Sequence, residues 1–329
     1  MKITFLTNDR KQALIDYNRK VFPLKRICAE HYLNFWWSKS PSSIEGNLIL
    51  EDENGAIRGQ ILTSEMSYFY KGEKKNTVWL FDLIVDEDLR KSAWGVDVIL
   101  ACFQKHPRSF STGSGPTALP IHLKLGNKYL GDIRKYVGIV NPMGLLTSFF
   151  RSTLAIHKYP QRVSVGADVF VRVDKDDLFD LTEPYNDYLW ETSRERDFLK
   201  WRFFNDLHQY AFYKDEQSND YFVVRTTVQR GVTVCLLVDY RCEMISDKNF
   251  ERIFQAVVSI MKTLHLGILI TGSSLKTVDG ILEKYNLRSV GRPRPVIGFL
   301  NIKERKVDIE NRNFAFVTLA DSDGETNWI

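Results

Sequence analysis

Between Asp86 and Val96 the sequence reads DEDLRKSAWGV, with a basic pair at Arg90 and Lys91 followed by the small residues Ser92, Ala93 and Gly95. Upstream, Val78 to Val85 is apolar and β-favouring except at Asp82, the pattern of a strand buried on both faces. From about Ala93 the apolar spacing turns helical. A strand that delivers a short turn into a helix start aims several unpaired backbone N–H groups at one point, where an anion is stabilised. The chemistry on offer is phosphate binding, although an ordinary strand-turn-helix unit with a solvated basic pair has the same pattern. Asp82 and Glu65, carboxylates on expected strands, could accept a proton from a substrate or simply pair with an arginine.

The run from Leu83 to Val96 resembles the coenzyme-A loop of the GNAT superfamily of N-acetyltransferases, in which a strand enters an R/Q-x-x-G-x-G/A turn and a helix. Arg90, Ala93 and Gly95 fall on the marked positions, with Ala93 in place of the first glycine. Downstream, Ser111 to Gly126 reads STGSGPTALPIHLKLG, and Lys124, Leu125 and Gly126 match the close of the next unit of that family. The resemblance implies acetyl-CoA or another acyl-CoA as co-substrate. It implies that Leu83, Ile84 and Val85 offer backbone N–H groups, and that Arg90, Lys91, Ser92, Ala93, Trp94, Gly95 and Val96 hold the pyrophosphate. It also puts His122 where the family carries its general acid. A histidine on a helix equally fits a packed or surface residue.

Around this loop the elements follow an α/β order. A strand over Lys2 to Leu6 leads to a helix ending at Val21 before Pro23, and a second helix spans Ile27 to Trp37. Strands over Asn47 to Asp52 and Ile57 to Tyr70 are joined through Asn54-Gly55, a hairpin signal. A helix over Val96 to Lys105 then separates the loop from His122.

With 329 residues the chain is long enough for two domains. Its net charge of +4 is mild and both signs are interspersed, so nothing suggests a nucleic-acid partner. No segment reaches the roughly 18 apolar residues of a membrane span. Cys28, Cys102, Cys235 and Cys242 lack metal-ligand spacing, which points to buried free thiols, no metal and a cytoplasmic location.

The second half repeats the first in outline. A strand over Ala167 to Val173 and a helix over Asp177 to Trp190 precede RERDFLKWRFF, which aligns with AEHYLNFWW from Ala29. Strands over Tyr210 to Lys214, Tyr221 to Thr227 and Thr233 to Tyr240 follow, with Asp239 where Asp82 lies. Helices over Phe250 to Leu264 and Leu275 to Tyr285, flanking a strand over Gly267 to Thr271, complete the repeat. The expectation is an α+β mixed-sheet protein of two tandem GNAT-like domains, 1–140 and 166–329, joined by an apolar connection over 141–165 in which Phe149 and Phe150 pack. The second copy lacks a glycine loop and carries Glu243 and Asp247 where a phosphate would sit, so it is read as degenerate.

The function expected from the resemblance is transfer of an acetyl group to an amine. Asp82, Glu65 or a water held by Asp86 or Glu87 would act as base and His122 as acid. The acceptor would be a small molecule or an amino sugar. A coenzyme-binding protein without turnover and a non-catalytic interaction module are the alternatives, and the sequence leaves the oligomeric state open.

Overall fold

The structure is a computed structural model that describes residues 1–22, 29–39, 42–70, 72–150, 155–181, 190–242, 246–299 and 315–322. Cys28 and Glu243 lie outside the described residues. The chain begins with β1 (Lys2–Phe5), α1 (Lys11–Val21), α2 (Ala29–Trp37), α3 (Ser42–Glu45), β2 (Leu48–Glu51), β3 (Ile57–Tyr70) and β4 (Glu73–Val85). Then come α4 (Trp94–Lys105), β5 (Ser109–Thr112), α5 (Ala118–Lys124), β6 (Lys128–Ile139) and α6 (Pro142–Ser148). The second half supplies β7 (Arg162–Val165), β8 (Asp168–Arg172), β9 (Trp190–Thr192), α7 (Arg196–Phe203), β10 (Ala211–Asp215), β11 (Tyr221–Gln229) and β12 (Val232–Arg241). It ends with α8 (Asp247–Thr263), β13 (Ile268–Ser273), α9 (Lys276–Lys284), β14 (Arg288–Ser289), β15 (Arg294–Phe299) and β16 (Ala315–Phe316). This is the mixed α/β architecture expected.

The described residues divide into two compact units, one holding 1–68, 74–131 and 295–299, the other holding 132–294 and 315–322 with the hairpin tip at 69–73. In the first, β1, β2, β3 and β4 form an antiparallel meander, and β5 lies parallel to β4. Its last strand comes from far along the chain: β15 pairs antiparallel with β5, Val296 opposite Thr112. In the second, the order is β6, β13, β12, β11, β10, β8, β7, with β12 and β13 parallel. Here the far strand is β6, which pairs with β13 from Ile139 opposite Ile268 to Arg134 opposite Ser273. Each sheet is thus completed by a strand from the other half of the sequence.

Helix faces explain the packing. α4 buries Val98, Ile99, Cys102 and Phe103, one stripe at three- and four-residue spacing, against β2 and β4 residues such as Leu48 and Leu80. In the same unit Trp36 of α2 packs 4.6 Å from the Phe81 ring and 5.0 Å from Trp79, which stacks on Phe110. α8 carries Phe250, Ile253, Phe254, Val257, Ile260 and Met261 on its buried face in the second unit.

Two expectations are corrected. The helix expected over Asp177–Trp190 is absent where that stretch is described: Leu178 is extended at φ −62°, ψ 137°, and Trp190 opens a strand. Phe149 and Phe150, expected to pack, are both exposed. No helix among the described residues is long and apolar enough to cross a membrane.

Candidate functional site

The site begins where β4 and β5 part. Their parallel pairing runs through Val78, Trp79 and Leu80 and stops at Leu80 opposite Ser111, while β4 continues to Val85. Over the last five residues one edge of β4 therefore faces a gap. Backbone geometry shows which groups point into it. The amide of Val78 donates to Arg108 on the β5 side at 3.3 Å, and that of Asp86 donates to Arg58 on the β3 side at 2.8 Å. An even spacing would aim both amides the same way in a regular strand, so one residue between them is out of step, a β-bulge.

Asp82 is that residue, with φ +48°, a left-handed conformation that costs a non-glycine residue on the order of 1 kcal/mol. Its carbonyl turns to β3, where Gln60 Nε2 donates to it at 3.2 Å. Gln60 is fully buried and is held in turn by Asn18 of α1, whose Nδ2 donates to Gln60 Oε1 at 2.7 Å and to the Leu14 carbonyl at 3.0 Å. Past the bulge the alternation puts the amides of Leu83 and Val85 toward the gap. Gly59 lets β3 close on this segment, since a Cβ there would stand 2.9 Å from Val85 Cγ1.

The loop that follows is built to leave donors free. α4 starts after Ala93 with no side-chain cap. The amides of Ser92, Val96 and Asp97 bond carbonyls within the loop, and that of Trp94 bonds Ser92 Oγ, whereas those of Lys91, Ala93 and Gly95 bond nothing among the described residues. A Cβ added at Gly95 would meet nothing within 4 Å, so the glycine stands under open space.

Beside the loop a cavity of about 970 Å³ is bounded by Lys20, Arg58, Arg90 and Lys91 together with Asp86, Glu87 and Asp88. Arg58 spans two of the carboxylates, Nε to Asp86 at 2.6 Å and Nη2 to Asp88 at 2.7 Å. Those bonds hold Asp88 below the usual carboxylate range and raise the Arg58 guanidinium. Lys20 stands 3.4 Å from Asp86. Arg90 and Lys91 form no ion pair among the described residues, Arg90 reaching only the Val85 carbonyl with Nε at 3.5 Å, so two cations without a counter-ion stand at the mouth. Tyr17, buried beneath, has its pKa raised by burial and by the charge of Asp86.

The other expected site residues are dispersed. Glu65 is exposed on β3, and because Ser67 meets Asn76 across the hairpin it lies about opposite Val78, four residues and roughly 13 Å from Asp82. His122 is buried on α5 against the Phe103 ring, with Nδ1 unbonded, and burial pushes its pKa down to about 4. The imidazole is neutral at pH 7. Cys102 is buried with its thiol pushed up to about 12, so it is no nucleophile. Gln60 and Asn18 escaped the sequence reading, because amides on apolar stretches carry no spacing signal.

The second unit has the same split and a different occupant. β12 and β13 pair through Leu237 opposite Thr271 and then part, and a register shift between Val223 and Val224 places Val238 as the extra residue. Asp239 comes two residues after the last pair, as Asp82 does. Here the chain itself spans the gap. Thr318 Oγ1 donates to Asp239 at 2.6 Å, Ser274 exchanges hydrogen bonds with Val317, and Leu319 crowds Gly272 so closely that a Cβ there would lie 2.6 Å away. Arg194 bridges Asp239 at 2.8 Å and Asp321 at 2.9 Å, and Arg241 adds a bond to Asp239 at 2.9 Å, all four side chains being buried. These arginines hold Asp239 well below the usual carboxylate range despite its burial. The helix start is occupied too: Ser246 caps α8 by accepting from the Asn249 amide, and Asp247 is acidic where an anion would bind.

No known protein-family profile matches the sequence, and no curated protein is found similar to it. Solved structures do match. A GCN5-related N-acetyltransferase from Anabaena variabilis superposes with a TM-score of 0.60 at 10% identity, over 90% of this chain and 72% of that one. A probable N-acyltransferase from Enterococcus faecalis gives 0.59 at 10%, over 90% and 71%. The N-myristoyltransferase of Saccharomyces cerevisiae with bound myristoyl-CoA gives 0.59 at 12%, over 96% and 89%. The chain therefore has the GNAT fold, shared by acetyl- and myristoyl-transferring proteins across nearly its whole length.

Proposed function

We propose that this protein is an acyl-CoA-dependent N-acyltransferase whose first unit takes the coenzyme, with acetyl as the acyl group and a small-molecule amine, an amino sugar among the options, as acceptor. The observation that carries the reading is the gap beyond Leu80, with outward amides on β4 ending at an uncapped helix start. The residues fit the group: free amides at Lys91, Ala93 and Gly95 and the cations Arg90 and Lys91 suit a pyrophosphate, and the space over Gly95 admits it.

Bound acyl-CoA supplies an activated thioester. The Leu83 amide, turned outward by the Asp82 bulge, is the donor for the carbonyl oxygen as it gains charge. The Asp82 carboxylate, half-buried at the gap, is the base that relieves the amine of its proton, directly or through a water. His122, neutral in its pocket against Phe103, is not assigned the acid role expected from the sequence, and the leaving thiolate takes its proton from solvent.

Calorimetric titration with acetyl-CoA should give one site per chain. Replacing Gly95 by Phe fills open space above the loop, so folding should be kept while affinity falls at least ten-fold. Thiol release with a panel of amines then identifies the acceptor. Absence of binding, or a Gly95→Phe protein that binds as the wild type does, would overturn the reading; binding without thiol release for any amine would favour a coenzyme-binding protein without turnover.

A further inference from the structure

The connection between the halves presents an apolar wedge on a rigid mount. One side of α6 is fastened to the start of β13. A Cβ at Gly144 would lie 2.7 Å from the Leu266 carbonyl carbon, and one at Gly267 would lie 2.5 Å from Leu145 Cα. Four hydrogen bonds lock this contact: Asn141 Nδ2 to the Leu266 carbonyl, Thr147 Oγ1 to the His265 carbonyl, the Val140 amide to the Gly267 carbonyl, and the Gly267 amide to Ser148 Oγ. The other side carries Met143, Leu146 and Phe150 at helical spacing, with Phe149 beside them still in helical dihedrals. All four are exposed, Met143 by 82% and Phe150 by 90%.

The sequence flanking the wedge carries no acidic residue; Arg134 pairs with Asp279 and Arg162 with Glu216, and the cations that stay unpaired among the described residues include Lys158 and Lys262. From Ile133 to Ala167 the chain has five Lys or Arg residues and no Asp or Glu, and from Ile253 to Val278 it again has no Asp or Glu. These are the two stretches that meet at α6, and Lys262 is exposed one turn from the His265 carbonyl that Thr147 holds. Four side chains of this size expose on the order of 500 Å², short of the roughly 800 Å² that a stable interface buries on each partner.

We propose that α6 and its flanking cations dock the protein on an anionic lipid bilayer, with Met143, Leu146, Phe149 and Phe150 entering the headgroup boundary. A deformable interface takes protruding side chains without a matching pocket, and its negative potential attracts the surrounding Lys and Arg. The helix is held rigid, so its backbone loses little conformational freedom on insertion.

The test is co-sedimentation of the full chain with vesicles of phosphatidylcholine alone and of phosphatidylcholine mixed with phosphatidylglycerol, without coenzyme, so that it is independent of acyl transfer. Binding should be seen with the mixed vesicles, weaken as salt is added, fall at least ten-fold in Leu146→Asp and Phe150→Asp, and fall several-fold in Lys262→Glu. These positions are exposed, so unchanged melting temperatures are expected and would be measured. Absence of vesicle binding, equal binding to neutral vesicles, or a dimer in sedimentation equilibrium that Leu146→Asp dissociates without any lipid binding would overturn the proposal.

Discussion

The two units solve one backbone problem in opposite ways. Each has a pair of parallel strands that part after a few residues, a bulge on the longer strand, and an aspartate two residues beyond the last pair, Asp82 in one and Asp239 in the other. In the first, the bulge is supported from behind by the Gln60–Asn18 amide pair, and the gap and helix start stay open. In the second, Val317 to Asp321 lies across the gap, and buried arginines neutralise the aspartate. A parting of strands exposes backbone polar groups that must be satisfied by something. A fold can leave them open or satisfy them from its own chain, and this chain does one of each.

The largest effect should come from the paired aspartates. Asp239→Ala leaves Arg194 and Arg241 buried with too little counter-charge and should cost about 3–5 kcal/mol of unfolding free energy. Asp82→Ala, at a half-exposed position, should cost about 1 kcal/mol or less and abolish turnover. Denaturant titration of both proteins would show the contrast, and equal losses of stability would mean the two gaps are not alternatives.

Acid should loosen the first unit before the second. His122 has a folded pKa near 4 against 6.5 for an unperturbed histidine, so between those values the unfolded chain binds a proton that the folded one refuses. The associated stability, about 3 kcal/mol, is complete above pH 6.5 and lost as pH falls toward 4. Asp239 has a lowered pKa, so its contribution is lost only below the ordinary carboxylate range. Denaturation midpoints at pH 7.5 and 4.5 should differ by that amount more in the wild type than in His122→Leu; an undiminished pH dependence in the variant would remove His122 as its source.

A smaller effect concerns the support of the bulge. Gln60→Leu deprives the Asp82 carbonyl of its donor and leaves Asn18 facing an apolar side chain, at a cost of about 1–3 kcal/mol. If the bulge aims the Leu83 amide, the rate constant should fall while coenzyme affinity holds within about two-fold, because the phosphate loop is untouched. A loss of affinity with an unchanged rate would place the role of Gln60 elsewhere.

Much of the first unit's candidate site was legible in the sequence because its parts are contiguous. Arg90 to Val96 announces itself within seven residues, and Asp82 is conspicuous as the one charge on an apolar strand. His122 was visible as a residue, but its protonation state was not: burial against Phe103 decides that the imidazole is neutral. Gln60 and Asn18 are separated by 42 positions, and their bond exists only once α1 lies across β3. The helix expected over Asp177–Trp190 failed at the points described, where the pairing of Leu181 with Arg194 and of Trp190 with Ala315 outweighs local propensity.

By itself the sequence showed most of the strands and helices around the loop, the residue pattern from Arg90 to Gly95 and the repeat that matches Asp239 to Asp82, because these depend on spacing along a few turns of chain. Tertiary structure alone decided that β6 completes the second sheet and β15 the first, and that Thr318 and Asp321 satisfy Asp239 and Arg194 from 79 and 127 residues away. Neither segment carries a local mark of its partner. Edge strands are chosen by which open edge the chain reaches, and a buried charge is balanced by whichever group packing brings within hydrogen-bond distance. Such choices are made by the free energy of the assembled fold rather than by the propensity of any one stretch.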